Sequence, residues 1–166
     1  YRVLNQPEYE WSGRSSKSAY YVLGVDVGRI GCTTEVCVFK VTPQPQGAAL
    51  KSLVNIYTYE AEDFETQSIN IKKLYFKYKA RVVAIDANGL GVGLVDFMVL
   101  AQNDPETGDI LPPFGVENDD EGFYKKYKTE DTIQDAMYII KANAPINTEA
   151  HANAQSQLSS GKVKFL

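Results

Sequence analysis

The sequence predicts an α/β domain built on one mixed sheet, three antiparallel strands extended by parallel ones, with helices on both faces. Three observations carry that prediction. The stretch Tyr20-Tyr21-Val22-Leu23-Gly24-Val25-Asp26-Val27-Gly28 is apolar or aromatic except at Gly24, Asp26 and Gly28. It is too continuous for a strand with one wet face and suits a central strand buried on both sides. The alternating run from Cys32 to Val41 follows a turn at Gly28-Arg29-Ile30-Gly31, which favours an antiparallel hairpin partner. A helical pattern over 63–79 then separates two further strand-like runs, and a parallel neighbour needs a crossover of that kind.

Residues 1–18 are polar and read as a linker or an extension from a preceding domain, which Trp11 and Tyr9 alone could order by packing. The domain proper is expected over 19–166, with a first strand at about 19–27. Pro43-Gln44-Pro45-Gln46-Gly47 is a turn, and Ala48 to Tyr59 forms the third strand. Asp63 is an N-cap with Glu65 in the first turn of a helix to about Lys79. Phe64, Ile71, Leu74, Tyr75 and Tyr78 fall on one face, while Lys72, Lys73, Lys77 and Lys79 are expected on the other side or at the end.

A second buried run, Arg81 to Ala87, carries Asp86 near its end and leads into Asn88-Gly89. Leu90 to Leu100 is apolar nearly all round apart from Asp96 and reads as a buried helix, ended by Asn103 to Gly108. Pro112 to Glu117 is a further strand, and Asn118 to Gly122 a wet acidic loop. Ala136 to Ala142 fits strand and helix alike; Pro145 ends it, and Asn147 or Thr148 caps a polar helix to about Ser159. Lys162 to Leu166 reads as the beginning of an element, so the chain is expected to be a piece of a longer protein. Strand, hairpin, strand, helix, strand, helix, strand is the order of an RNase H-like fold.

The 166 residues suffice for one substantial core. A net charge of −4 provides no overall field to gather nucleic acid, so such contacts need local basic groups or bound metal ions. No apolar run reaches the roughly 18 residues of a membrane helix, and no signal peptide opens the chain, so no membrane partner is expected. Cys32 and Cys37, five apart in what looks like one strand, point to opposite faces and cannot bridge each other. That usage, without a CxxC pair, suggests a reducing compartment and gives no sign of zinc.

Asp26 and Asp86 carry the chemistry. Each ends an apolar strand, each is followed by glycine, and together they bring two carboxylates to one sheet edge. Phosphodiester hydrolysis needs a nucleophilic water at neutral pH and charge stabilisation on the leaving oxygen. Two divalent cations about 3.5–4 Å apart supply both, and hard cations select carboxylate oxygens. The plainer alternative is that each aspartate caps the turn after its strand. Glu35 is the candidate third metal ligand in the chain. If the hairpin centres near Arg29-Ile30 it lies across from Leu23 or Gly24, one side-chain row from Asp26. A one-residue shift sends it to the other face, and an ordinary ion-paired strand glutamate is its alternative.

Other signals are weaker. Gly89-Leu90-Gly91-Val92-Gly93 lacks the full dinucleotide fingerprint; its helix N-terminus can receive a phosphate, or its glycines can serve close packing. Tyr124-Lys125-Lys126-Tyr127-Lys128 mixes cations and aromatics as a DNA-backbone surface does, and equally as a solvated stretch does. Arg29 reads as a phosphate contact or a turn arginine, and His151 as exposed.

In this order, with a hairpin and a helix between them, GVDVGRIG (24–31) and VVAIDANGLGVGLVDFM (82–98) resemble the nuclease domain of the large terminase subunit of tailed phages. The resemblance covers the chain from about Tyr20 onward. It implies an endonuclease that cuts concatemeric double-stranded DNA with little sequence preference, using two divalent cations, Mg²⁺ or Mn²⁺. Asp26 and Asp86 match the first two acidic metal ligands of that family, and the third is expected beyond residue 166, so weak activity is expected of this chain alone. The resemblance also implies a terminase ATPase domain in the parent chain, portal and small terminase subunit as partners, and action in the host cell cytoplasm. Three other functions stay open. An actin-like or sugar-kinase ATPase needs two such lobes, more than 166 residues provide. A Holliday-junction resolvase shares fold and chemistry but acts on branched DNA. A non-catalytic domain would only bind DNA or dock on the portal.

Overall fold

The computed structural model describes residues 18–28 and 32–165. The extension over 1–17, with Tyr9 and Trp11, and Arg29 in the first turn lie outside the described residues. In chain order the elements are β1 (Tyr20–Asp26), β2 (Thr33–Thr42), β3 (Leu50–Glu60), α1 (Phe64–Tyr78), β4 (Val82–Asp86), α2 (Gly91–Met98), β5 (Gln102–Asn103), β6 (Ile110–Leu111), β7 (Phe114–Val116), β8 (Ile133–Ile140), α3 (Ala144–Ser159) and β9 (Val163–Phe165). A seven-stranded sheet runs β7-β8-β4-β1-β2-β3-β9. β1 to β3 are antiparallel, with β4, β8 and β7 added in parallel on one side and β9 on the other. This is the mixed, RNase H-like sheet the sequence predicts.

β1 is the middle strand of that sheet. Tyr21, Leu23 and Val25 are buried in one core cluster with Ile71, Leu74, Tyr75 and Tyr78 of α1 and Leu94, Val95 and Met98 of α2. Tyr20, Val22 and Gly24 face the other way and are only half-buried, so the expected burial on both faces is realised on one. On the second face α3 meets β9 and its first turns share a groove with Tyr138 and Ile140, but none of its residues is buried. Crossovers between parallel strands are right-handed as a rule, and the one from β8 to β9 runs opposite to that from β3 to β4, which accounts for α3 on this side.

α1 begins where expected, with Asp63 Oδ1 accepting from the Thr66 N–H at 2.8 Å. That backbone hydrogen bond holds the Asp63 carboxyl below the usual range. The helix ends at Lys79 in the left-handed conformation, φ 48°. The predicted apolar face is correct but too narrow, because Lys72 is fully buried rather than solvated. α2 and the segment after it cover this flank of α1. Lys72 Nζ donates to Leu100 O at 2.5 Å and stands 5.4 Å from the Phe114 ring centre. Burial, with no carboxylate to offset it, pushes its pKa down to about 7. Lys73, one residue on, reaches outward to Asp104 at 3.1 Å and Glu106 at 2.5 Å.

Other expectations need revision. α2 is not buried all round: Leu90 before it and Val92 within it are exposed, because only one side meets α1 and the sheet. Asn103 to Gly108 does more than end α2; it is the turn of a small ribbon, β5 paired with β6, with Asp104 accepting from Glu106 N. The run at Ala136 to Ala142 resolves as strand β8. Its pairing with β7 slips between Phe114 and Val116, and Asp135 adopts φ 54°, so the alternation expected of a strand is broken. Pro145 does not end that run but sits in the first turn of α3, where a missing N–H costs nothing. The cap is Asn143, accepting from Ile146 N at 3.0 Å, rather than Asn147 or Thr148. Among the described residues no helix is long and apolar enough to cross a membrane.

Lys72 yields the first prediction. Its folded pKa of about 7 lies below the value of about 10.4 in an unfolded chain, so between these the unfolded state binds the extra proton. Its contribution to stability therefore rises as pH climbs from 7 towards 10. Lys72→Met removes this titration, and at pH 6 it is expected to raise stability by on the order of 1 kcal/mol. Urea unfolding of both proteins from pH 6 to 9 checks it; parallel pH profiles would refute the assignment.

Candidate functional site

The sheet register brings the predicted carboxylates into one row. β1 and β4 run parallel with Gly24 beside Ala84 and Val25 beside Ile85, so one further step sets Asp26 beside Asp86. β1 and β2 run antiparallel with Asp26 directly opposite Glu35. The expected pairing put Glu35 across from Leu23 or Gly24, which point to opposite faces; the observed one sets it opposite Asp26, on the Gly24 face. Val25, Val36 and Ile85 are buried on the α1–α2 side, so by alternation all three acidic residues belong to the opposite, more open face. Asp26 is exposed, while Glu35 and Asp86 are half-buried.

Each acid is held differently. Thr58 Oγ1, across from Glu35 on β3, donates to Glu35 Oε2 at 2.8 Å. Asp86 Oδ1 accepts from the Asn88 N–H at 3.0 Å, so Asp86 does cap its turn as the plainer reading expected. The Asn88 side chain reaches on to Ala142 O at 2.9 Å, tying the loop after β4 to the end of β8. Among the described residues none donates to the Asp26 carboxylate. Cys37, paired with Gly24, lies on the same face, and its thiol pKa is raised by burial and then by the negative charge of Glu35 and Asp26. Among the described residues no group of three or more His, Cys, Asp or Glu side chains is gathered to hold a metal ion. A row of adjacent strand positions is thus present without a closed cage.

No protein-family model matches the chain, and no curated protein matches it. Solved structures do. Three crystal structures of the large terminase nuclease from the thermophilic phage G20c superimpose with TM-scores of 0.52 with magnesium bound, 0.54 without a named metal and 0.51 with cobalt. Each match covers 98% of this chain and 69% of the other, at 13–14% identity. The fold is that of a large terminase nuclease.

Within this terminase-nuclease fold, the glycines after Asp86 serve a left-handed turn at Gly89 and close packing at Gly91 and Gly93. Gly89 has φ +59°, a Cβ on Gly91 would fall 1.9 Å from Asp86 O, and one on Gly93 2.5 Å from the Phe64 ring. Each glycine thus has a steric or conformational cause, as the packing alternative expected for Gly91 and Gly93. Tyr124 and Tyr127 pack against the core, so the Tyr–Lys stretch does not offer both rings to a nucleic acid. Cys32 precedes β2 rather than belonging to it, and both Cys32 and Cys37 are free. His151 is exposed, as expected. Sequence reasoning missed Thr58, Cys37 and the side chain of Asn88. The strand alternation carries a signal for the first two, because β2 and β3 pair with Glu35 beside Thr58.

The glycines also set a paired prediction. Gly91→Ala drives a methyl into the Asp86 carbonyl and is expected to cost about 1–3 kcal/mol. Gly24→Ala meets nothing within 4 Å on the open face and is expected to change stability by less than about 0.5 kcal/mol. Denaturant midpoints of the two variants check this; equal losses would mean the packing at Asp86 is misjudged.

Proposed function

We propose that this chain is the nuclease domain of a phage terminase, a metal-dependent endonuclease hydrolysing double-stranded DNA with little sequence preference. The observation that carries the reading is the row Asp86–Asp26–Glu35 on the open face of a terminase-nuclease fold. Hard carboxylate oxygens fit Mg²⁺ or Mn²⁺ rather than a soft metal. Asp26 and Asp86 are the proposed ligands, with Glu35 a third candidate. When bound, such ions supply a hydroxide at neutral pH and a counter-charge for the leaving oxygen.

The chain's own residues orient and exclude. Asn88 and Thr58 each occupy one oxygen of Asp86 and Glu35, which fixes how the remaining oxygens present themselves. Little sequence preference follows if contacts are to phosphate, which positions DNA without reading bases. Under this reading a terminase ATPase domain, the portal and the small terminase subunit are partners in the host cell cytoplasm.

Clustered carboxylates repel, so Mn²⁺ binding to the native state is expected to raise the melting temperature. Asp26→Asn is expected to abolish the rise, and Asp86→Ala to abolish Mn²⁺-dependent nicking of supercoiled plasmid. Calorimetry and plasmid digestion check these outcomes. Equal stabilisation of wild type and Asp26→Asn, or nicking that survives Asp86→Ala or needs no divalent ion, would sink the reading.

A further inference from the structure

Thr34 on β2 and Gln67 on α1 are among the most deeply buried side chains, 0% and 1% exposed, yet both are polar. Groups so buried need partners, and theirs lie in the segment that follows Asp26. The Gly28 N–H donates to Thr34 Oγ1 at 2.8 Å. Thr34 Oγ1 donates to Gln67 Oε1 at 2.8 Å, and Gln67 Nε2 donates to Gly28 O at 3.1 Å and Glu62 O at 2.8 Å. Thr34 Oγ1 also lies 3.0 Å from Gly28 O, but its single proton is better used on Gln67 Oε1, since Gln67 already serves Gly28 O. The ring closes with both Gly28 backbone groups satisfied. It also leaves no slack, because a Cβ on Gly28 would fall 2.2 Å from Thr33 O.

The ring sits on the buried side of the sheet, two residues past an aspartate that is exposed on the other side. Since no described residue donates to the Asp26 carboxylate, its place depends on its backbone, and that backbone is gripped at Gly28. We infer that Thr34 and Gln67 are positioning residues for Asp26, acting through Gly28. The inference rests on Asp26 being a cation ligand, as proposed above. Supporting contacts of this kind are usually worth about 10–100-fold in metal affinity.

The test combines Mn²⁺ titration with amide exchange at Gly28. Thr34→Val keeps the shape and removes the hydroxyl, and Gln67→Met removes both amide groups. Each is expected to speed Gly28 exchange and weaken Mn²⁺ binding by about 10-fold. Thr34→Ser, which restores a hydroxyl, should bind Mn²⁺ as the wild type does. Ile71→Val is the control for general destabilisation, expected to lower the melting temperature without changing Mn²⁺ affinity. Faster Gly28 exchange with unchanged Mn²⁺ affinity in Thr34→Val and Gln67→Met overturns the inference, as does weakening by Ile71→Val to the same extent. If Asp26→Asn itself binds Mn²⁺ like the wild type, the metal-site reading falls too, a result separable from failure of the ring alone.

Discussion

The period of two along β1 is the constraint on which the rest of the structure depends. It sends Tyr21, Leu23 and Val25 under α1 and α2 and leaves Asp26 on the opposite face. Because β1 is hydrogen-bonded to β2 on one side and β4 on the other, its register fixes both neighbours at once. A slip of one residue in either pairing would bury a carboxylate in the apolar cluster, at a cost of several kcal/mol. The core thus enforces the row of acids without touching it.

The same logic explains why the buried polar groups are where they are. Gln67, Ser68 and Lys72 all lie on the α1 surface that meets the ends of neighbouring elements. Strands satisfy their own backbone groups, whereas the ends of β1 and α2 leave carbonyls and amides that need side chains. Gln67 serves Gly28, Ser68 meets Gln102 at 2.9 Å, and Lys72 serves Leu100 O. These contacts join the end of β1 and the end of α2 to a single helix.

β1, β2, β3 and α1 were legible in the sequence because each is long and keeps its period; Asp63 and Lys79 even mark both ends of the helix. The two aspartates were legible because an acid ending an apolar run is conspicuous. Illegible parts have local causes. β8 hides behind a bulge at Asp135 that puts Ala136 and Met137 on the buried side together. Lys72 looked solvated because the segment covering it comes about thirty residues later, and no periodicity within α1 encodes that contact. Pro145 has two grammatical senses, ending an element or opening a helix, and only Asn143 as cap decides between them. The ring of Thr34 and Gln67 is a polar signal inside an apolar pattern: Gln67 is four residues before Ile71, on the predicted buried face.

The open face sets an electrostatic problem that the proposed activity must solve. Beside the row of acids, a groove of about 620 Å³ is lined by Asp119, Asp120 and Glu121 together with Phe123, Tyr138 and Ile146. Lys141 also lines the groove, but the three acids outnumber it, so the groove is net negative and does not gather phosphate. Tyr124 and Tyr127 are half-buried against the core, which leaves Phe123 as the exposed ring beside the neighbouring lysines. A duplex would therefore approach only after the carboxylates are neutralised, and divalent cations are the groups able to do this at the row itself. On that reasoning metal binding and DNA binding are one coupled event: ions held by Asp26 and Asp86 would create the local positive charge that phosphate needs. DNA affinity should then depend on the same two residues as cleavage, even though neither can contact DNA favourably by itself.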